Sequence, residues 1–218
     1  MKNNTDHLKE SWRLQAGTVI RNFKKRGIDG IYCESRADAV LEICRHIPAG
    51  SLVGLGGSET IIESGLLDAL RKMNLRLLDR YKEGVSKEEI NEMRLQGLLS
   101  DIFIMSSNAV SADGRLVNID GTGNRAAALI FGPKKVIVLA GMNKVAPGLD
   151  AAIARARNVA ATANSLRVGV DTPCSHTGFC QDPHCHPPQR ICCQLVVTES
   201  CMTPGRIRVV LVGEDLGY

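Results

Sequence analysis

The 218-residue sequence is poor in aromatic residues: four Phe, three Tyr and one Trp make up 4% of it. Few rings leave few platforms on which single-stranded nucleic acid could stack. The sequence also has no apolar run near the roughly 20 residues that a membrane span requires. Its opening, MKNNTDHLKESW, lacks the apolar core of a signal peptide, so the expected compartment is the cytoplasm. A strong charge imbalance is missing too, since 27 basic and 23 acidic residues leave a formal +4. The one noticeable basic cluster, RNFKKRG at 21–27, closes a predicted helix, where cations complement the helix dipole, so no nucleic-acid partner is expected. What is present is an ordinary globular balance, 44% hydrophobic and 23% charged.

Hydrophobic periodicity predicts a first helix over 6–26, with Leu8, Trp12, Leu14, Val19 and Phe23 at roughly helical spacing and Gly27 as its stop. Beyond it, apolar strand-like runs (GIYC, SLVGLGG, LRLLD, DIFIMSS, KKVIVLAG) alternate with helical patterns. A single helix is expected over 58–73, and Ser86 and Glu89 have capping-box spacing at the head of another. Asp113-Gly114 suits a two-residue type I′ turn between short extended arms. Such alternation predicts an α/β fold: a mostly parallel sheet with helices on both faces. The rhythm breaks over 172–193, rich in Cys, His and Pro, after which CCQLVVTES and GRIRVVLVGEDL are expected to form an antiparallel strand pair.

SLVGLGGSET, 51–60, runs from a strand through three glycines into a helix. It is neither a Rossmann fingerprint, since Glu59 stands where the third glycine belongs, nor a Walker loop, which ends in Gly-Lys-Ser/Thr. What remains is Gly54, Gly56 and Gly57 with the hydroxyls of Ser58 and Thr60 at a helix start, a pattern that can hold an anion. The same residues can also serve only as a tight turn and cap. NIDGTGNR offers a second candidate at another strand end, with Asp120, Gly121, Thr122, Gly123, Asn124 and Arg125; Asp120 could instead merely shape the turn. Lys144 follows VIVLAG and reads as an anion contact or a solvated surface lysine.

VGLGGSET is similar to the phosphate loop of ribose-5-phosphate isomerase, and the stretch from SSNAVSADG to VLAGMNK is similar to later motifs of the same superfamily. That superfamily also holds glucosamine-phosphate deaminases and CoA transferases. The closer resemblance is to the LUD domain, named for lactate utilisation, carried by the glycine loop, NIDGTGNR, FGPKKVIVLAGMNK, RARNVAA, TPCSHTGFC, PQRIC and LVGEDLGY. It covers roughly 31–218 and implies an N-terminal helix at 1–27 followed by a LUD domain at 28–218. Where the isomerases carry an acid after the central strand, this sequence has Ser107 and Asn108, and an amide cannot take a proton from carbon. Asp120 and Asp113 remain the candidate bases, with Asn108 as a ligand contact. No glutamate stands where the CoA transferases of this fold place their nucleophile.

Eight cysteines are unevenly spread, six of them after residue 173. Cys174, Cys180, Cys185 and Cys192, spaced C-x5-C-x4-C-x6-C, are a candidate ligand set for an iron–sulfur cluster or a zinc ion, both of which favour thiolates. Reduced thiols in a loop, or disulfides, are the alternatives. Cys193 is expected to pack, and His176, His184 and His186 are spare ligands. The resemblance implies a part in an electron-transferring assembly that oxidises lactate or a similar hydroxyacid, with iron–sulfur partner subunits. A stand-alone enzyme or a sensor for a small phosphorylated or carboxylated metabolite is the other reading.

Overall fold

The computed structural model describes residues 4–181 and 184–218; Asp182 and Pro183 of the cysteine-rich segment lie outside the described residues. Helix α1 (Asn4–Lys25) leads into β1 (Asp29–Cys33), α2 (Arg36–Arg45), β2 (Leu52–Leu55), the short helices α3 (Glu59–Glu63) and α4 (Leu66–Arg71), β3 (Arg76–Leu77), α5 (Lys87–Gly97) and β4 (Ile102–Met105). Strands β5 (Ala109–Ser111) and β6 (Leu116–Asp120) follow, then α6 (Asn124–Ile130), β7 (Lys135–Gly141), a 3₁₀ turn (Met142–Lys144) and β8 (Val145–Ala146). One helical run carries α7 (Leu149–Arg155), a π-helical turn (Ala156–Ala161) and α8 (Thr162–Val168), before α9 (Pro173–Thr177), β9 (Gln194–Thr198) and β10 (Ile207–Val212).

Six strands form a parallel sheet in the order β1-β10-β7-β4-β2-β3. Period-2 alternation sends its side chains into two cores. Phe103, Met105, Val136 and Val138 face one, with Ala16, Val19 and Phe23 of α1 and Leu129 of α6. Ile102, Ile104, Ile137 and Leu139 face the other, with Ile43 of α2, Ile61 of α3 and Leu70 of α4. The expected α/β architecture with helices on both faces is therefore present. In α1 the buried stripe runs Trp12, Ala16, Val19, Phe23. Leu8 and Leu14 are exposed, Leu8 lying a turn before that core and Leu14 about 200° round from Trp12.

A second, small sheet has the order β8-β5-β6-β9, with β6 antiparallel to both β5 and β9. The expected antiparallel pairing of the last two strands is thus corrected: β9 joins this sheet, while β10 inserts in parallel between β1 and β7. The apolar run of β10 is the cause, since Val209 and Leu211 fill one core and Val210 and Val212 the other. The helix expected over 58–73 is also broken, at Gly65 with φ +77. The β5–β6 hairpin forms, but over a three-residue loop. Gly114 has φ +87, Asp113 does not have positive φ, and type I′ needs it at both central positions. Arg26, in the basic cluster, is built into this corner, donating to the carbonyls of Asp113 and Glu199. Among the described residues no helix is long and apolar enough to cross a membrane.

Candidate functional site

Adjacent strands β10, β7, β4 and β2 all end at one edge of the parallel sheet, where α/β folds place their ligands. The residues that follow them converge: Tyr218 after β10, Lys144 after β7, Ser106 to Asn108 after β4, Gly57 to Thr60 after β2. With Asp120 and Gly121 from the small sheet and Asn164 and Arg167 from α8, they line a cavity of about 110 Å³. Drug-sized ligands occupy roughly 300–1,000 Å³, so this cavity suits a molecule of few atoms.

The glycine loop is shaped by the protein more than the sequence suggests. Gly56 donates its N–H to Ile104, and Ser58 donates its N–H to the Tyr81 hydroxyl, which in turn donates to the Gly56 carbonyl. Ser58 makes no side-chain cap, and α3 is only five residues long, so little helix dipole stands behind the loop. Charge comes from elsewhere. The half-buried Arg80 guanidinium sits so close that a Cβ on Gly57 would lie 3.4 Å from it. No carboxylate pairs with Arg80 among the described residues, and burial lowers its pKa, as do Arg94 and Arg167 nearby.

Arg125 is the organiser. Nε donates to Asp120 at 2.9 Å, one terminal nitrogen to Ser106 O and Asn118 Oδ1, the other to Asn108 Oδ1 and Ile119 O. All five guanidinium donors are used, so none is left for the ligand contact expected of Arg125. Asp120 spends its second oxygen on the Ala126 N–H at 2.6 Å. Both carboxylate oxygens thus have partners, an arrangement that orders α6 against the cavity rather than freeing a base.

Lys144 is not a surface lysine. It is 2% exposed, and Nζ donates to Thr60 Oγ1 at 2.7 Å and Ser106 Oγ at 3.0 Å. Burial lowers its pKa to about 7, helped by Arg155 and Arg125 and opposed by Glu63.

Of the residues expected at the site, Gly57, Ser58, Thr60, Asn108, Asp120, Gly121, Arg125 and Lys144 line the cavity. Gly54 and Gly56 stand behind it: a Cβ on Gly54 would meet Phe103 at 2.7 Å, and one on Gly56 would meet the Arg125 stem at 3.3 Å. Thr122, Gly123 and Asn124 are not in the lining, and the Thr122 hydroxyl bonds Asn124 Oδ1 at 2.7 Å. Asp113 lies in the hairpin loop, bonded to Ser111 and, at 2.9 Å, to Arg115, outside the cavity.

The four cysteines do come together. Cys174, Cys180, Cys185 and Cys192 line one cavity of about 280 Å³ with Arg157, Phe179 and Arg190. Burial and the thiols of Cys192, Cys174 and Cys180 raise the Cys185 pKa, against Arg190, which lowers it. Among the described residues no three His, Cys, Asp or Glu side chains converge tightly enough to hold a single metal ion. His176 is paired with Asp171 at 2.6 Å. Cys193, expected to pack, is exposed, and Cys201 packs on the α1 core. Ile191 lines both the cysteine cavity and the polar one.

The model of the family described as the LUD domain matches residues 17–212. The chain belongs to the LUD domain family. Among solved structures it is similar to a DUF162 family protein from Deinococcus radiodurans, 15% identical with a TM-score of 0.48, over 94% of this chain and 98% of that one. It is also similar to eIF2B delta from Chaetomium thermophilum, 23% identical with a TM-score of 0.35, over 51% and 48%. No curated protein matches the sequence significantly.

In this LUD domain several cavity residues carry no sequence signal. Asn164 and Arg167 sit in an alanine-rich helix that gave no cue to a ligand, and Arg80 and Tyr81, which stand against the glycine loop outside the lining, follow an edge strand. That helical run separates the two cavities' contributions: Arg157 and Ala161 from its π turn face the cysteines, and Asn164 and Arg167 face the polar cavity. π-helical turns are rare and recur at functional sites.

Proposed function

We propose that this LUD domain binds a small carboxylate in the polar cavity and an iron–sulfur cluster among Cys174, Cys180, Cys185 and Cys192. It would act within an electron-transferring assembly that oxidises lactate or a similar hydroxyacid. The observation that carries this reading is Ile191, a wall common to both cavities. A redox group held by these thiols would be separated from the polar cavity by the Ile191 wall.

The donor set favours a cluster over zinc. A single tetrahedral zinc needs four sulfurs drawn to about 2.3 Å from one point. Here four thiols surround a cavity instead of meeting at a point, which suits a larger thiolate-bound group. When bound, such a group supplies one-electron exchange. The chain's own residues do the rest: Arg190 donates to the carbonyls of Cys185 and Cys192, holding the loop, and Arg167, paired with Glu59 at 3.4 Å, brings a guanidinium to the cavity for a carboxylate.

Protein purified without oxygen tests the proposal. Iron and sulfide in the preparation, with visible absorption that bleaches on reduction, support it. Calorimetric titration with lactate, phosphate and sugar phosphates tests the cavity, and lactate is expected to bind. A colourless, metal-free protein that binds a phosphorylated metabolite would favour the stand-alone enzyme or sensor.

A further inference from the structure

We propose that Lys144 is a covalent site, its amine condensing with the carbonyl of a small 2-oxo acid held in the polar cavity. The proposal rests on the reading that this cavity takes a small carboxylate.

Lysines buried as structural cations are paired with carboxylates, because an unpaired charge away from water is costly. Among the described residues Lys144 has no such pair. Its two bonds go to the neutral hydroxyls of Thr60 and Ser106. Thr60 commits its own proton to the Leu216 carbonyl at 3.2 Å, so its oxygen accepts from Nζ. Ser106 has the Ser107 carbonyl at 3.4 Å to receive its proton. Two of the three Nζ positions are thereby spent, and the third, a lone pair in the neutral amine, remains for the cavity that Lys144 lines.

The surroundings favour that neutral form. The charged groups acting on Nζ are Arg125 from α6, Arg155 from α7 and Glu63 from α3. The single carboxylate among them is already bonded by the Gly217 N–H at 2.6 Å. Two cations and burial hold the pKa at about 7, so a large share of the amine is nucleophilic at neutral pH. A residue needed only to attract an anion gains nothing from this arrangement.

The reaction balances within the site. The Nζ–C bond forms and one amine proton passes to the carbonyl oxygen. A second proton, taken from solvent, expels that oxygen as water and leaves a protonated imine. Arg167 lines the same cavity, paired with Glu59 at 3.4 Å and bonded to Asn164, and the carboxylate of the 2-oxo acid would compete with Glu59 for its guanidinium. The cavity volume of about 110 Å³ suits a short chain such as three carbons.

The test uses the full chain, pyruvate and borohydride, followed by peptide mass mapping. The Lys144 peptide is expected to gain the mass of pyruvic acid less one oxygen atom. Lactate, which has no keto carbonyl, should leave no adduct and in excess should protect. Trapping should level off above about pH 7 and fall about tenfold per unit below it, where an ordinary lysine would keep gaining to pH 10. Calorimetry on the unreduced protein separates the two ideas. If pyruvate and lactate bind but no adduct forms, or the adduct maps to other lysines, the covalent role is overturned and the carboxylate site stands. If neither binds and nothing is trapped, both are overturned. Mapping in the unmutated chain does not depend on a buried variant folding; Lys144→Arg, where it folds, should lose the adduct.

Discussion

Arg125 and Asp120 hold each other at the wall of the polar cavity, Nε to Oδ1 at 2.9 Å, with side chains only 10% and 11% exposed. This pair sits in a network of four further arginine bonds that ties β6, the β4 end and α6 together. Removing one partner leaves the other as a buried, uncompensated charge, which costs about 3 to 5 kcal/mol. Asp120→Asn should therefore lower stability by that order in denaturant unfolding, with the midpoint moving and the slope unchanged. A variant that unfolds like the parent but fails to bind a carboxylate would instead make Asp120 a ligand contact or base.

Stability should depend on pH through Lys144. Its pKa falls from 10.5 to about 7 on folding, so between those values the unfolded chain binds more protons. Stability from this group thus rises with pH across that window, and below about pH 7 the full cost of burying the cation is present. The comparison is between the parent and Lys144→Met, which fills similar space without charge. Melting temperatures should favour the variant most near pH 6, and the advantage should shrink steadily towards pH 10. A difference constant over this range would mean that the amine stays charged in the fold.

The glycines of the loop divide into two kinds. Gly54→Ala drives a Cβ to 2.7 Å from Phe103 in the core, an overpacking expected to cost about 1 to 3 kcal/mol while leaving ligand binding intact in the folded fraction. Gly57→Ala meets only the end of Arg80 at 3.4 Å, a flexible side chain that can move. It should keep its melting temperature. Combined with Ser58→Ala, it should weaken carboxylate binding by about tenfold, which is about 1.4 kcal/mol. Equal binding by the folded double variant would reduce the loop to a turn.

The strands of the parallel sheet were legible because they are buried on both faces and read as continuous apolar runs, DIFIMSS and KKVIVLAG above all. The fate of the last two strands was not, because apolar content alone does not say which sheet a strand enters. Lys144 and the glycine loop could be found because they follow strands directly. Arg167 and Tyr218 could not, since tertiary packing alone brings them to the cavity from a helix and a tail. The sequence also could not foretell that Arg125 would spend every donor inside the protein, which depends on five acceptors from two segments, the end of β6 and the turn after β4.

The cysteine cavity yields the last prediction. If the four thiols bind one group, each contributes a bond whose loss opens the site, so Ser at any one of Cys174, Cys180, Cys185 or Cys192 should lower metal content sharply. Cys193→Ser and Cys201→Ser are the controls, because one thiol is exposed beside the Arg190 carbonyl and the other packs near Thr203, away from the cavity. Both should keep the parent's iron, sulfide and spectrum. Thiolate ligation also releases protons, and Cys185, whose pKa is raised by burial, should make loading weaken as the pH is lowered. Iron and sulfide assays on protein prepared without oxygen provide the readout, with circular dichroism confirming that each variant is folded. Full metal retained after two of the four replacements would show that these cysteines are loop thiols lining an apolar hollow, and the electron-transfer reading would go with them.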